Sequence, residues 1–252
     1  MKNHFKHEKG KQGMNRKTRA EKILRIIKSQ IRNRAYIDRA GENALRKNRI
    51  LNSEDEKFRI LISIILSART KDELTEKVSE RIFKNYSVEQ LQKFSAQKIS
   101  RLIYPVGFYK KKAENIKKLF RKINEEFDGK IPKDLENLLM LPGVGRKTAN
   151  LYLSVVHKKP SICVDTHVHR ISNRIGFVKT KTPLETEMAL EKIFAKEYWS
   201  MINEVLVPFG KEICRPVNPK CSICIIRERC NYYKEAKNKK KRLQKVKNKN
   251  KL

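Results

Sequence analysis

Four of the five cysteines fall in one short segment whose spacing is typical of metal ligation. Cys214, Cys221, Cys224 and Cys230 lie within 17 residues, separated by six, two and five residues. The N-terminus lacks the apolar core of a secretion signal, so we expect a reducing compartment, in which clustered thiols bind metal rather than form disulfides. One close pair flanked by longer gaps favours an iron–sulfur cluster, and a zinc site remains the alternative. Cys163 stands apart and is expected to be a small buried residue.

A second segment, DLENLLMLPGVGRKTANLYLSVV at residues 134–156, has the features of a phosphate site. Asp134 can cap a first helix, and Leu-Pro-Gly-Val-Gly predicts a tight turn before a second helix that begins near Arg146. The turn then presents the backbone N–H groups of Gly143, Gly145 and their neighbours at a helix N-terminus, where the helix dipole is positive. The sequence therefore predicts a hairpin that binds phosphate.

The net charge also indicates an anionic partner. The chain carries 60 Lys and Arg against 27 Asp and Glu, a formal charge of +33. Residues 1–22 contribute +6 and residues 231–252 contribute +9, which leaves +18 on residues 23–230. A folded body this basic repels itself unless a polyanion neutralises it, which favours nucleic acid. No apolar run approaches the roughly 18 residues of a membrane span, so no membrane partner is expected.

The spacing of apolar residues predicts an all-α fold of about ten short helices. Ala113, Ile116, Leu119 and Ile123 recur at three- and four-residue steps, and the lysines between them, Lys112 included, are expected around the rest of the helix. The segment 58–66 is apolar nearly all round, which predicts a buried central helix rather than a strand. Pro and Gly mark the breaks between helices, and no internal repeat is present.

At residues 141–150 the sequence LPGVGRKTAN resembles the helix-hairpin-helix motif of the endonuclease III family of DNA glycosylases. The cysteine spacing resembles that of the family's [4Fe–4S] cluster. The segment VDTHVHR at 164–170 resembles the one that carries the family's catalytic aspartate. Three others, ILSA at 65–68, GFY at 107–109 and KAENI at 112–116, resemble the family's base-extrusion loops. The resemblance covers roughly residues 50–230.

The resemblance implies that Lys147 is the nucleophile and Asp165 the catalytic carboxylate. Lys147 falls in the first turn of the second hairpin helix, where the positive dipole end disfavours its ammonium form and so favours a nucleophilic amine. Asp165 can cap the helix that begins at Thr166, and as an ionised carboxylate it can stabilise positive charge on a deoxyribose ring. The same comparison implies a [4Fe–4S] cluster on Cys214, Cys221, Cys224 and Cys230.

The residues expected to contact DNA come from three places. On the hairpin they are Gly143, Val144, Gly145 and Arg146; in the extrusion loops, Arg69 and Phe108; on the cysteine loop, Lys220, Arg227 and Arg229. Arg69 stands where bacterial members usually have Gln, and Phe108 stands where a wedge leucine often occurs. Arginine still fills space and donates hydrogen bonds, and an aromatic wedge can stack between bases. Both departures bear on lesion preference rather than on reaction class.

The reaction implied is that of a bifunctional DNA glycosylase and AP lyase acting on duplex DNA with damaged bases. Oxidised pyrimidines are the expected substrates, and β-elimination nicks the strand 3′ to the abasic site. Monofunctional mismatch or adenine glycosylases of the family generally lack the lysine at 147. A second alternative, from a different class, is a non-catalytic protein that uses the hairpin only to bind DNA.

The expected organisation is two helical lobes with a cleft between them. A helical barrel would span residues 50–159 and include the hairpin at about 134–156. A cluster lobe would combine an N-terminal helix within 17–49 with residues 160–234, and the basic ends, 1–16 and 235–252, would be disordered tails that raise general DNA affinity. A monomer is expected, in a prokaryotic cytoplasm with the nucleoid, or in the nucleus if the chain is eukaryotic.

Overall fold

The computed structural model describes residues 15–32 and 53–249, and these form helices connected by short turns. The expected all-α fold is confirmed, and no strand occurs in either described range. Three short 3₁₀ turns accompany the helices. The α-helices are α1 Arg16–Arg32, α2 Glu54–Ser67, α3 Asp72–Asn85, α4 Val88–Lys93, α5 Ala96–Ile103, α6 Tyr109–Glu126, α7 Leu135–Leu139, α8 Arg146–His157, α9 Thr166–Ile175, α10 Pro183–Ile193, α11 Trp199–Glu212 and α12 Asn231–Lys249.

Side-chain caps fix where many of these helices begin. Ser53 accepts a hydrogen bond from the amide of Glu56 at the start of α2. Ser87 and Gln90 form a reciprocal capping box at the start of α4. Thr182 caps α10, whose first residue is Pro183, and proline suits that position because its missing N–H would be unpaired there anyway. These signals are local, so the sequence alone carries them.

Helix α2 lies at the centre of the first of two hydrophobic cores. Its buried side chains include Phe58, Leu61 and Leu66, and it packs on α3, α6 and α8. The expectation of a buried helix at 58–66 is therefore confirmed. Tyr152 of α8 is fully buried in the same core, which runs in sequence from residue 58 to residue 153.

The second core joins the N-terminal helix to the C-terminal half of the chain. It contains Leu24 and Ile27 of α1, packed against α10 and α11, together with buried residues between 162 and 226. The chain leaves the first core and enters the second through residues 158–161. Of the N-terminal helix expected within 17–49, α1 accounts for 16–32, and residues 33–49 lie outside the described residues, as does the expected tail from residue 1 to residue 14.

The C-terminal segment differs from the expected disordered tail, because residues 231–249 form helix α12. The segment contains no Gly or Pro, and eight of its 19 residues are Lys, which favours helix. Its first turn is also anchored on α9. The Asn231 side chain fills the space beside Gly176, where a Cβ would clash with it, and the ring of Tyr232 lies 4.5 Å from the Arg174 guanidinium. No helix within the described ranges is long and apolar enough to span a membrane.

Candidate active site

The hairpin between α7 and α8 is built by local hydrogen bonds and one buried valine. The Asp134 carboxylate accepts the amide of Asn137 at 2.9 Å and so caps α7. Val144 is only 6% exposed, and its N–H donates to the carbonyl of Leu141 at 3.0 Å. Val144 therefore holds the turn in place with both its side chain and its amide, and neither is free for the direct DNA contact that the sequence analysis expected of this residue.

The two hairpin glycines are exposed and present unused amides. Gly143 has φ of +83°, a left-handed conformation that favours glycine, and a Cβ there would lie 3.0 Å from the Cβ of Asn115. Gly145 is the N-cap of α8, with open space around it. Within the described ranges neither amide donates a hydrogen bond. Both therefore lie free at the positive end of a 12-residue helix, the arrangement that binds phosphate oxygens.

Lys147 and Asp165 meet at the start of their respective helices. Lys147 is the second residue of α8 and Asp165 is the N-cap of α9. The lysine Nζ lies 3.9 Å from Oδ2 of the aspartate, with the two side chains 56% and 15% exposed. An amine that is half open to solvent beside a mostly buried carboxylate can meet a substrate carbon while the carboxylate stays fixed.

The carboxylate of Asp165 is oriented by the helix that it caps. Its Oδ1 accepts the amides of His167 at 2.9 Å and Val168 at 2.8 Å. These two bonds use one oxygen and leave Oδ2 directed toward Lys147. The same residue therefore begins α9 and supplies a negative charge to the site.

His167 is a packing residue in this structure. Its Nδ1 lies 3.2 Å from the Arg170 guanidinium, which can only donate, so Nδ1 is the acceptor. Burial, with the cations Arg170, Lys211 and Lys147, lowers the pKa of His167, although the Asp165 carboxylate opposes this shift. A Cβ on Gly210 would lie 2.6 Å from Nδ1, so α11 packs directly on the ring.

Arg146 is tied to a carboxylate that the sequence analysis did not single out. Its Nε donates to Oε1 of Glu187 at 3.0 Å, and the Glu187 side chain is only 7% exposed. A buried carboxylate needs a cationic partner, and this one fixes the first residue of α8 to α10 of the second core. Arg146 remains 40% exposed, which leaves part of its guanidinium on the surface near the hairpin.

The four clustered cysteines line one cavity in the second core. All four are free thiols and half-buried, and the cavity walls also include Ile175, Phe209, Ile213 and Ile226. The Arg174 guanidinium donates to the carbonyls of Arg215 at 2.6 Å and Pro216 at 2.8 Å, so α9 holds the start of the cysteine loop. Lys220, Arg227 and Arg229 are exposed on the same loop.

Arg69 and Phe108 are adjacent although 39 residues separate them. The guanidinium of Arg69 lies 5.2 Å from the centre of the Phe108 ring, and the ring is 62% exposed. Both residues have left-handed backbones, with φ of 53° and 58°. The two expected extrusion loops thus present an exposed cation and an exposed aromatic ring side by side.

Comparison with known proteins agrees with this architecture. The model of the HhH-GPD superfamily of base excision DNA repair proteins matches residues 62–196. An endonuclease III from Thermotoga maritima is 49% identical over 184 residues, which is 73% of this chain and 86% of that relative. The chain belongs to the endonuclease III family.

Solved structures of the endonuclease III family share the fold. A trapped covalent intermediate of endonuclease III with DNA, an estranged-adenine complex, is 32% identical with a TM-score of 0.74, covering 88% of this chain and 99% of that one. A thermostable thymine-DNA glycosylase is less similar, with 25% identity and a TM-score of 0.66 over 86% of this chain and 99% of that one. The family resemblance of the sequence motifs is therefore confirmed.

Endonuclease III family members carry an iron–sulfur cluster, and in this chain the four clustered cysteines line one cavity. No three His, Cys, Asp or Glu side chains in the described part of the chain are placed around a single metal ion. In a [4Fe–4S] cluster each cysteine binds a different iron, so the sulfurs stand apart around the cluster rather than converge on one point. Cys163 is outside this group, and burial raises its pKa to about 11, as expected of a buried thiol.

Lys112 of this endonuclease III family chain lies on a different face of α6 from the one that its charge predicts. It was expected on the outer face of α6, but it is 7% exposed. Position 112 lies four residues before Ile116 and seven before Leu119, which places it on the apolar stripe of the helix. The helical period therefore predicts that Lys112 is buried. A lysine on a buried stripe must have hydrogen-bond partners for its ammonium group, and that requirement points to a structural role.

Proposed function

We propose that this endonuclease III family enzyme is a bifunctional DNA glycosylase and AP lyase that excises oxidised pyrimidines from duplex DNA. The observation that supports this most directly is the 3.9 Å approach of Lys147 to Asp165 beside the hairpin. We place its action as a monomer in base excision repair, with the DNA of a prokaryotic cytoplasm, or in the nucleus of a eukaryote.

The hairpin and the surrounding cations are the proposed grip on the DNA backbone. The free amides of Gly143 and Gly145 bind phosphate oxygens, and the exposed part of Arg146 adds a charged donor. Lys220, Arg227 and Arg229 extend the positive surface to the cysteine loop. The damaged nucleotide must leave the stack before its C1′ can be reached, and Arg69 and Phe108 are the proposed side chains that enter the duplex.

Base excision is the proposed first step. The Nζ lone pair of Lys147 attacks C1′, the glycosidic bond breaks, and the base leaves with the bonding electrons and takes up a proton. The Asp165 carboxylate stabilises the positive charge that develops on the sugar, because its position is fixed before the reaction begins. Nζ loses its protons as it becomes bonded to carbon, and Oδ2 of Asp165, 3.9 Å away, is the proposed acceptor for one of them.

Strand cleavage is the proposed second step. Opening of the sugar gives an imine between Nζ of Lys147 and C1′, and this imine acidifies the proton on C2′. Removal of that proton forms a C2′–C3′ double bond and expels the 3′ phosphate, which nicks the strand. Water then hydrolyses the imine and regenerates the free lysine. A monofunctional mismatch or adenine glycosylase would stop after base release, and the presence of Lys147 supports the bifunctional reaction.

A lesion panel tests this assignment. We expect release of thymine glycol and dihydrouracil from duplex DNA with a nick at each site, and at least about 100-fold slower release of uracil, 8-oxoguanine and mismatched adenine or thymine. Nicks are scored with and without alkali, because alkali also cleaves abasic sites that the enzyme left intact. Base release with nicks that appear only after alkali would indicate a monofunctional enzyme, and binding without any release would indicate a non-catalytic DNA-binding protein.

We further propose that Cys214, Cys221, Cys224 and Cys230 hold a [4Fe–4S] cluster. When bound, the cluster would cross-link residues 214–230 and so keep the basic loop ordered for DNA contact. The cavity lined by all four thiols supports this assignment.

Metal content checks the cluster assignment without reference to activity. Protein purified without oxygen is expected to be brown and to contain about four iron atoms per chain. Cys221→Ser is expected to lose most of this iron, because a thiolate ligand is removed, whereas the matched variant Cys163→Ala should keep it. Colourless protein containing zinc and no iron would contradict the assignment, as would iron loss in Cys163→Ala alone.

A further inference from the structure

Two loops carry the exposed pair Arg69 and Phe108, and each loop contains one backbone conformation that is rare outside glycine. The first loop, residues 68–71, joins α2 to α3, and the second, residues 104–108, joins α5 to α6. Arg69 and Phe108 each have positive φ, which non-glycine residues rarely adopt. Such conformations persist only where contacts from surrounding groups determine them.

The buried Lys112 ammonium group supplies those contacts to the first loop. Its Nζ donates to the carbonyls of Leu66 at 2.7 Å and Ala68 at 2.6 Å, and to the Thr70 hydroxyl at 3.0 Å. The two carbonyls lie at the C-terminal end of α2, where the helix dipole favours a positive charge. All three protons of the ammonium group are therefore used within five residues that surround Arg69.

The hydroxyl of Thr70 extends this network to the second loop. Its Oγ1 accepts the backbone N–H of Gly107 at 3.1 Å as well as the bond from Lys112. Gly107 also packs so closely on the Arg69 carbonyl that a Cβ at this position would clash with it. The residue before Phe108 is thus bonded to Thr70 and packed on the backbone of Arg69.

We propose that Lys112 is a positioning residue that joins the two loops through Thr70, so that Arg69 and Phe108 enter the duplex as one preformed unit. The inference rests on the proposed function, because it concerns how the base is extruded. Neither Lys112 nor Thr70 needs to touch DNA. Their effect comes through the orientation of two exposed side chains, and fixed orientation lowers the entropic cost of inserting them.

The charge state of Lys112 agrees with this role near neutral pH. Burial lowers its pKa to about 8, so at pH 7 the ammonium form exceeds the neutral amine by about tenfold. The neutral amine has two protons and cannot make all three bonds. The charged form that completes the network therefore predominates under ordinary conditions.

A double-mutant cycle tests the coupling. Lys112→Met keeps the length of the side chain and removes the ammonium group, and we expect excision of thymine glycol from duplex DNA to slow by about 10- to 100-fold in kcat, with a smaller change in KM. In a background that already carries Arg69→Ala and Phe108→Ala, Lys112→Met should lower kcat by less than about twofold, because the side chains that Lys112 positions are gone. Equal losses in both backgrounds would overturn the proposal, since a general loss of structure predicts them.

Matched variants separate this outcome from misfolding. Lys118→Met changes an exposed lysine on the same helix and should leave the rate unchanged. If Lys112→Met does not fold, Thr70→Val and Thr70→Ser carry the test: the serine keeps the hydroxyl and should retain the rate, whereas the valine should not. A valine variant as fast as the serine variant would overturn the proposal. Wild-type enzyme without any excision in the same assay would refute the proposed function itself, and the inference with it.

Discussion

Replacing Lys147 by glutamine is expected to eliminate strand cleavage and covalent trapping on thymine-glycol DNA. Glutamine keeps most of the side-chain length but its amide nitrogen is not nucleophilic, so neither attack on C1′ nor imine formation can occur. A fall of about 1000-fold or more in single-turnover rate is expected, because removal of an attacking group costs far more than removal of a binding contact. The measurement is borohydride trapping of the imine, read as a protein–DNA adduct on a denaturing gel.

The matched control for this variant is Lys118→Gln, which removes one positive charge from an exposed helix position. The control removes the same single charge from the chain, so an effect of net charge alone would appear equally in both variants. Only Lys147→Gln should lose the adduct. Equal amounts of adduct from wild type and Lys147→Gln would show that another amine forms the imine.

Replacing Asp165 by asparagine is expected to slow base excision by about 100- to 1000-fold while leaving stability nearly unchanged. The structure gives the reason, because the two oxygens of this carboxylate have different partners. Oδ1 accepts the amides of His167 and Val168, which an asparagine oxygen can also do. Oδ2 faces Lys147, and there asparagine places a neutral NH₂ group. The rate is measured in single turnover and stability by thermal unfolding.

Two alanine variants separate capping from catalysis. Asp165→Ala removes both functions, so it should lose activity and also about 1 kcal/mol of stability. Ser95→Ala removes a cap of similar kind from α5, whose Oγ accepts the amide of Lys98 at 3.2 Å, and it should lose stability alone. If Asp165→Asn retains the wild-type rate, Asp165 serves only as a helix cap.

The sequence carried most of the local structure of this chain. Helix starts after Asp134 and Thr182 follow from side chains that accept the amide three residues ahead, and the hairpin turn follows from its glycines. The all-α fold and the family resemblance were also available, because apolar period and motif spacing are properties of the chain itself. Each of these features depends on residues within a few positions of one another.

Contacts between distant residues could not be obtained in this way. Sequence order places Lys147 and Asp165 eighteen residues apart, and only the packing of the two hydrophobic cores brings their side chains within 3.9 Å of each other. Glu187, which fixes Arg146 from 41 residues away, has the same origin. Helix α12 depends on both levels. Its composition favours helix, but its anchoring against Gly176 depends on the tertiary fold.

The sequence by itself therefore determined which chemical groups this endonuclease III family chain has, in which order, and on which kinds of helix and turn. Tertiary structure decided which of those groups meet. Lys112 illustrates the difference. The spacing of apolar residues in α6 predicts its place on the apolar stripe, but the carbonyls that accept hydrogen bonds from its ammonium group lie 44 and 46 residues away in the sequence. Side-chain partners at such separations are set by how whole helices pack, and short-range patterns carry no information about that packing.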